Sequence, residues 1–303
     1  MVVSVVIRVR NAAEDLRRCL KSLRLQDLPG LDRYDLVVVD NDSSDCSRAV
    51  ANEYGAKIVD ISQEEFSWGR ALNRGLEHTK GEYVVIMSAD VEAANQEWLG
   101  HMLRPLEDPR VVAVYGRQIP RADAPLDEIS RLARAFPDVS PQIDSSTGAR
   151  AENGSLLYLS NACALVRRSG WERSQFDEAI DSGEEHVWME QQLREGFYYA
   201  YAASAIAYHS HREPLTRAAY RLWEYHREHM NRQGKRPWLG SLLYAAGSHS
   251  KCRLKNMVTY KAPFRQRAEG LLTLPLEVIV LLSVGALEGI GVSRRKVRAL
   301  MWG

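Results

Sequence analysis

Cysteine is scarce in this 303-residue chain and never occurs as a CxxC pair. The four cysteines lie far apart along the sequence: Cys19, Cys46, Cys163 and Cys252. This spacing argues against a zinc site and against a disulfide framework, and it fits the reducing cytoplasm. With 45% hydrophobic and 26% charged residues, the composition is that of an ordinary globular protein.

The sequence also lacks the loops that mark several large enzyme classes. A dehydrogenase would carry G-x-G-x-x-G after its first strand, where this chain has Arg10-Asn11-Ala12-Ala13. The absence of a G-x-x-x-x-G-K-[ST] loop and of a G-x-S-x-G elbow argues against P-loop ATP chemistry and against the usual α/β-hydrolases. No helix-turn-helix, RRM or zinc-finger pattern occurs, so we expect no nucleic acid among the partners.

Charge is unevenly distributed although the formal net charge is only +1. Residues 212–303 hold 17 Lys and Arg against 6 Asp and Glu, whereas residues 1–211 hold 23 basic and 33 acidic residues. An acidic body with a basic tail indicates that the tail faces an anionic surface. Because no nucleic-acid motif is present, an anionic membrane is the better candidate.

The most apolar segment, residues 271–292, is about 20 residues long, as a membrane-spanning helix would be. It contains Glu277 and Glu288, whose separation places both carboxylates on one helical face. This pattern is typical of an amphipathic helix lying on a membrane, and the basic flank at 294–298 suits anionic headgroups. We expect peripheral attachment at the inner face of the plasma membrane, with packing on the protein body as the alternative.

Hydrophobic periodicity predicts an α/β fold. Apolar runs predict buried strands that alternate with helix-period patterns, at 2–9, 35–39, 56–61, 83–87 and 111–119. This order predicts a mostly parallel central sheet flanked by helices.

The second half of the chain is less regular. The Pro-containing stretch 120–154 is predicted to hold one helix and to act as a mobile lid. Further strands are predicted at 156–159, 162–166 and 198–208, with a helix at 184–195. We expect one domain over residues 1–212 and a helical C-terminal region over residues 213–303.

Acidic and imidazole side chains occur where predicted elements begin or end. Ser88-Ala89-Asp90 follows a buried strand, Glu184 and Glu185 open a helix, and His209 and His211 follow the last strand. In open α/β sheets, ligands bind at the carboxyl ends of the strands, so we expect a phosphate or a metal there. Carboxylates favour Mg²⁺, and a histidine in the ligand set shifts the preference towards Mn²⁺.

These residue types suit the transfer of a group from a nucleoside diphosphate. A divalent cation would neutralise the departing diphosphate, and a carboxylate across the sugar would serve as general base for an attacking hydroxyl. A direct attack inverts the anomeric configuration. Simpler interpretations stay open: a turn cap for Asp90, charge at a helix N-terminus for Glu184 and Glu185, and no ligand role for the histidines.

Four motifs together resemble the series found in family-2 inverting glycosyltransferases with a GT-A fold. They lie in the expected order within residues 1–212: 4–11 (SVVIRVRN), 38–45 (VVDNDSSD), 81–90 (GEYVVIMSAD) and 183–185 (GEE). Three further segments are similar, more narrowly, to the bacterial rhamnosyltransferase-like branch: 66–73 (FSWGRALN), 115–120 (YGRQIP) and 209–211 (HSH).

The resemblance implies a Rossmann-like GT-A sheet and an activity. It implies transfer of a hexose, with rhamnose as one candidate, from a dTDP- or UDP-sugar to a hydroxyl of a surface glycan or lipid-linked acceptor. Asp90 matches the metal-binding acid of the family's DxD motif, and His209 or His211 matches a histidine that helps to hold Mg²⁺ or Mn²⁺ in some members. Glu185 matches the catalytic base, and Glu184 matches the acid that precedes it.

The resemblance also implies a set of nucleotide-sugar-binding residues. Asp40 and Asn41 match the pair that contacts the base, and Val9 and Asn11 line the same pocket. Arg70 is expected to face the diphosphate. Ser88 and Ala89 complete the donor site beside Asp90.

Two positions depart from the family pattern. Ser88 replaces the first acid of DxD, which predicts weak metal affinity, and Glu185 replaces the usual Asp and lengthens the base by one methylene. Both departures leave open a catalytically silent sugar-nucleotide-binding or scaffold protein. A nucleotidyltransferase is the other alternative, although it normally needs a Gly- and Arg-rich phosphate loop after its first strand.

Overall fold

The computed structural model describes residues 2–27, 35–138, 143–144, 148–149, 159–180 and 182–211, with the single positions 223, 227, 279 and 282. The described strands are β1 (Val3–Val9), β2 (Asp35–Asp40), β3 (Lys57–Asp60), β4 (Tyr83–Ser88), β5 (Glu92–Ala93), β6 (Val111–Ile119), β7 (Ile143–Asp144), β8 (Gly148–Ala149), β9 (Cys163–Arg167) and β10 (Tyr198–Tyr208). The described α-helices are α1 (Ala13–Arg24), α2 (Ser47–Glu53), α3 (Trp68–Glu77), α4 (Trp98–Leu103), α5 (Leu126–Ala135), α6 (Arg168–Arg173) and α7 (Glu184–Arg194).

Eight of these strands form one sheet in the order β3-β2-β1-β4-β9-β6-β10-β5. The four strands β3, β2, β1 and β4 are mutually parallel, as are β6 and β10. β9 runs antiparallel to both β4 and β6, and the short β5 runs antiparallel to β10. The predicted α/β sheet with flanking helices is confirmed, and its parallel part is interrupted by these antiparallel strands.

The sheet is buried on both faces in two apolar layers. β1 shows this best, because every one of its residues is buried and alternate side chains enter opposite layers. A strand covered on both faces is expected to be continuously apolar. Arg8 is therefore an anomaly in β1, since its guanidinium is buried with the valines around it.

The start of α3 lies against the segment that leads to α7. Ser67 caps α3, its Oγ accepting a hydrogen bond from the backbone N of Arg70 at 3.2 Å. A Cβ at Gly69 would meet the backbone O of Asp177 at 2.2 Å, so only glycine permits this approach. The close contact holds two elements together at the carboxyl edge of the sheet.

The chain divides into two compact units, residues 1–121 with 132–210 and residues 122–131 with 211–303. The first unit contains the eight-stranded sheet. Among the described residues, no helix combines the length and the apolar character that crossing a membrane requires. Three of the four residues of the strand predicted at 156–159 lie outside the described residues, and Leu159 is not in a strand. Nearly all of the segment 271–292 and of the helical region expected at 213–303 also lies outside them.

Candidate active site

The predicted nucleotide-binding residues meet at the ends of β1 and β2. Val9 and Asp40 are neighbours in the parallel register, and the backbone N of Asn41 donates to the backbone O of Val9 at 3.0 Å. Asn11 has a left-handed backbone with φ of 48°, and its Oδ1 accepts from the backbone N of Ser44 at 2.7 Å. Asparagine tolerates this conformation better than most residues. The hydrogen bond from Ser44 joins the loop after β1 to the loop after β2.

Asp40 and Asn41 present buried acceptor atoms at this place. They are 2% and 7% exposed, and Oδ1 of each has no hydrogen-bond partner among the described residues. The other carboxylate oxygen of Asp40 accepts from Arg48 Nη1 at 3.0 Å. Buried polar atoms are nearly always paired in folded proteins, so two adjacent unpaired acceptors suit a ligand that brings N–H or O–H donors, such as a base or a ribose.

Asp90 and His209 form a second group at the same edge. Oδ2 of Asp90 lies 3.5 Å from Nε2 of His209. On the other side of the ring, Nδ1 lies 2.6 Å from Oε1 of the buried Gln118. Since an amide oxygen only accepts, Nδ1 is the nitrogen that donates to Gln118, which leaves Nε2 as the ring nitrogen that faces Asp90.

This pair fits a divalent cation. A carboxylate oxygen and an imidazole nitrogen are both common ligands of divalent cations, and a metal-binding histidine usually donates its other N–H to an oxygen, which Gln118 offers to His209. The turn that carries Asp90 is held by Arg121, whose Nη2 donates to the backbone O of Asp90 at 3.0 Å. His211 lies two residues beyond His209, at the start of the second unit, and its role as a ligand stays a prediction.

Glu184 and Glu185 begin α7, after Gly183 in a left-handed conformation. Oε1 of Glu184 accepts from Asn161 Nδ2 at 3.2 Å and lies 3.8 Å from Arg8 Nη1. Oε1 of Glu185 lies 3.5 Å from Nδ1 of His186. The two adjacent carboxyl groups therefore differ in their other partners and also share a hydrogen bond with each other.

Their surroundings move the two pKa values in opposite directions. Burial, together with the charge of Glu185, raises the pKa of Glu184 to about 8, although Arg8 opposes this rise. Burial also disfavours ionisation of Glu185, but a hydrogen bond and charge attraction from His186 hold its pKa below the usual value. At neutral pH the pair thus keeps one proton on Glu184 and leaves Glu185 ionised.

Arg8 connects these groups. Its Nη2 donates to the backbone O of Asn161 at 3.1 Å and contacts Ser88 Oγ at 3.4 Å. Its guanidinium lies 4.8 Å from the ring centroid of Trp68. Burial lowers the pKa of Arg8, and the charges of Glu184, Glu185 and Asp90 act against that shift, so all three acids lie within electrostatic range of one cation.

Arg70 has protein partners in this structure. Its Nε donates to Oε2 of Glu178 at 2.8 Å, and its Nη1 donates to the backbone O of Glu65 at 2.8 Å. The expectation that Arg70 faces a diphosphate stays a prediction.

Four residues of this site were not predicted from the sequence: Arg8, Asn161, Gln118 and Arg121. One of them carries a readable signal, since Arg8 is a charged residue inside an otherwise apolar strand. Gln118 lies in the 115–120 motif, but its contact with a histidine 91 positions away depends on the pairing of β6 with β10.

Comparison with known proteins identifies the family. Residues 4–173 match the family described as glycosyl transferase family 2. The chain belongs to glycosyl transferase family 2. The matched region includes the predicted nucleotide-binding residues, Asp90 and Arg8, and it ends shortly before Glu184.

Two curated relatives support the rhamnosyltransferase-like branch of this family. The chain is 30% identical over 179 residues to the O-antigen chain rhamnosyltransferase WbaN of Salmonella anatum, covering 58% of this chain and 56% of WbaN. It is 28% identical over 180 residues to the O-antigen chain rhamnosyltransferase RfbN of Salmonella typhimurium strain LT2, covering 58% of this chain and 57% of RfbN. The chain thus spans little more than half the length of the curated relatives it matches.

Two solved structures support the GT-A fold. The mannosyltransferase PcManGT from Pyrobaculum calidifontis, solved with GDP-Man and Mn²⁺, superposes with a TM-score of 0.57 at 19% identity, covering 99% of this chain and 82% of PcManGT. TarS 1-349 from S. aureus superposes with a TM-score of 0.52 at 14% identity, covering 100% of this chain and 78% of the TarS chain.

Proposed function

We propose that this glycosyltransferase is a metal-dependent, inverting hexosyltransferase. It moves a hexose, with rhamnose as the first candidate, from a dTDP- or UDP-sugar to a hydroxyl of a surface glycan or lipid-linked acceptor. The names of the two Salmonella relatives support rhamnose and a surface glycan.

One observation carries the proposal: a single sheet edge presents the three groups that such a transfer needs. Asp40 and Asn41 offer unpaired buried acceptors for the nucleoside, and Asp90 with His209 offers ligand atoms for a cation. Glu185 offers an ionised carboxylate. These residues follow β2, β4 and β10 or begin α7, which supports one site at the carboxyl edge of the sheet.

The proposed reaction uses these residues in fixed roles. Asp90 and His209, with His211 as a candidate third ligand, would hold Mg²⁺ or Mn²⁺, which neutralises the diphosphate as it departs. Glu185 accepts the proton of the acceptor hydroxyl, whose oxygen forms the new bond to the anomeric carbon. The bond from that carbon to the diphosphate oxygen breaks with its electron pair, and in-line attack inverts the configuration.

The proposal includes a place in the cell. We place the protein in the cytoplasm at the inner face of the plasma membrane, where nucleotide sugars and lipid-linked acceptors meet. The basic balance of residues 212–303 and the shared face of Glu277 and Glu288 support this placement.

A thermal-shift panel of sugar nucleotides tests the donor assignment, because selective binding to the folded state raises its melting temperature. dTDP-rhamnose, UDP-glucose and GDP-mannose are each compared with Mn²⁺ and with EDTA. We expect a metal-dependent rise with a dTDP- or UDP-sugar, followed by a product of inverted configuration in proton NMR. Stabilisation without transfer would favour the silent binding protein, and no stabilisation by any donor would contradict the proposal.

A further inference from the structure

A buried guanidinium joins five segments of the chain at the proposed active site. Arg8 lies on β1 and contacts Ser88 at the end of β4, Asn161 before β9, Glu184 at the start of α7 and Trp68 at the start of α3. It is only 9% exposed, and its Nε has no hydrogen-bond partner among the described residues. Burying a charge is costly unless several partners compensate for it.

We propose that Arg8 is a positioning residue of the transfer reaction, which holds the donor turn at Ser88 and the carboxylates at the start of α7 in one fixed arrangement. The inference rests on the proposed function, because it assigns the donor to the first of these groups and the general base to the second. Arg8 is one charged side chain that contacts both the end of β4 and the start of α7.

The geometry calls for arginine and not merely for a cation. Nη2 reaches both Asn161 O and Ser88 Oγ, Nη1 lies near Glu184, and the planar group stacks on Trp68. A lysine ammonium is a point charge on a flexible stem and cannot serve these partners together. Arg8→Lys therefore removes the arrangement and keeps the charge, whereas Arg8→Met removes both.

The pH–rate profile is a second measurement of the role of Arg8, because the charge of Arg8 interacts with that of Glu185. The titratable groups that face Glu185 are Glu184 and His186 on α7, Arg8 on β1 and Tyr115 on β6. Among them, Arg8 is the group that stays positive at every working pH. Loss of this charge makes Glu185 easier to protonate, so the acid limb of the pH–rate profile moves to higher pH in Arg8→Met and stays in place in Arg8→Lys.

The experiment measures donor affinity by calorimetry, and kcat and the pH–rate profile by transfer assays, in the full-length protein and both variants. We expect Arg8→Lys to lower kcat by about 10-fold to 100-fold with donor Kd changed by less than about threefold, because the loss disturbs the alignment of the reacting groups more than it disturbs donor binding. Arg8→Met should show at least the same loss together with the shifted acid limb. Unchanged kcat in both variants, or equal losses in kcat and donor affinity, would overturn the proposal.

A double-mutant cycle on urea unfolding keeps the test independent of activity. The effects of Arg8→Met and Glu184→Gln on the free energy of unfolding should not add up to the effect of the double variant, because the two side chains share one contact. Additive effects would overturn the inference even if every variant is active. If the unsubstituted protein transfers sugar and Arg8→Lys does so at the same rate, this inference alone is refuted. If the unsubstituted protein transfers sugar from none of the donors, the proposed function is refuted together with the role of Arg8 in it.

Discussion

Glu184 and Glu185 show how much the surroundings of a residue decide its chemistry. The two side chains are identical and adjacent, yet Glu184 is buried beside Asn161 and Arg8, whereas Glu185 lies beside His186. The first keeps its proton to about pH 8 and the second is ionised at neutral pH. A general base must be ionised, so the structure favours Glu185 for that role.

The raised pKa of Glu184 predicts a pH dependence of stability. Between pH 4.5 and about 8 the folded state keeps a proton that the unfolded chain has lost, so the free energy of unfolding falls as pH rises through this window. Melting temperatures from pH 5 to pH 9 should therefore show the parent protein losing stability relative to Glu184→Gln. The lowered pKa of Glu185 has the opposite sign, so the parent should lose stability relative to Glu185→Gln on acidification. A constant difference from Glu184→Gln across the range would contradict the assignment.

Gln118 is predicted to control metal binding without touching the metal. Replacing it by Leu removes the acceptor that keeps the proton of His209 on Nδ1. Mn²⁺ affinity, measured by electron paramagnetic resonance, should fall by about 10-fold to 100-fold, which is typical of losing an outer partner of a ligand. Asp90→Asn is the positive control and should weaken Mn²⁺ binding as well. Unchanged affinity in Gln118→Leu would show that Gln118 does not set the orientation of His209.

At the scale of single residues, the sequence allowed the acids and histidines to be chosen but not their partners. Motif order pointed to Asp90, Glu185 and His209, which lie at one edge of the sheet in the structure. Arg8 could not be assigned in advance, because its partners Asn161 and Glu184 are 153 and 176 positions away in the chain. Only the folded sheet brings them together.

At the scale of elements, the junction between α3 and the segment before α7 is sensitive to substitution. Gly69→Ala places a Cβ against the backbone O of Asp177, which cannot move aside as a flexible side chain would. We expect it to lower the free energy of unfolding by about 1–3 kcal/mol, as overpacking does. Glu77→Ala, at an exposed position of the same helix, is the matched control and should change it by less than about 0.5 kcal/mol in urea. Equal stability of the two variants would contradict the close approach.

Elements with strong periodicity were predicted almost to the residue. β6 and β10 match the predicted ranges 111–119 and 198–208, because long apolar runs bounded by turn residues leave little choice of boundary. The antiparallel direction of β9 was not predicted, since periodicity shows that a segment is a strand but not which way it runs. β5, with two residues, is too short to show any period.

At the scale of the whole molecule, the division of charge predicts binding to anionic membranes. The basic tail should be attracted to acidic headgroups, and salt should screen this attraction. We expect the full-length protein to sediment with vesicles containing phosphatidylglycerol but not with neutral vesicles, and to be released by high salt. Truncation before Leu271 removes the apolar segment 271–292 and the basic flank 294–298 and should weaken sedimentation. Retention that resists salt would indicate a membrane-spanning segment, and no sedimentation would indicate that the segment packs on the protein.

The most direct test of the account compares transfer rates for Glu185→Gln and Glu184→Gln with a donor that the thermal-shift panel identifies. Glutamine keeps the size and hydrogen bonding of either side chain but cannot accept the proton. We predict that Glu185→Gln lowers kcat by about 10²–10⁴, the usual contribution of a general base, with donor affinity kept, and that Glu184→Gln is milder. Normal turnover by Glu185→Gln would contradict the account, whichever activity Glu184→Gln retains.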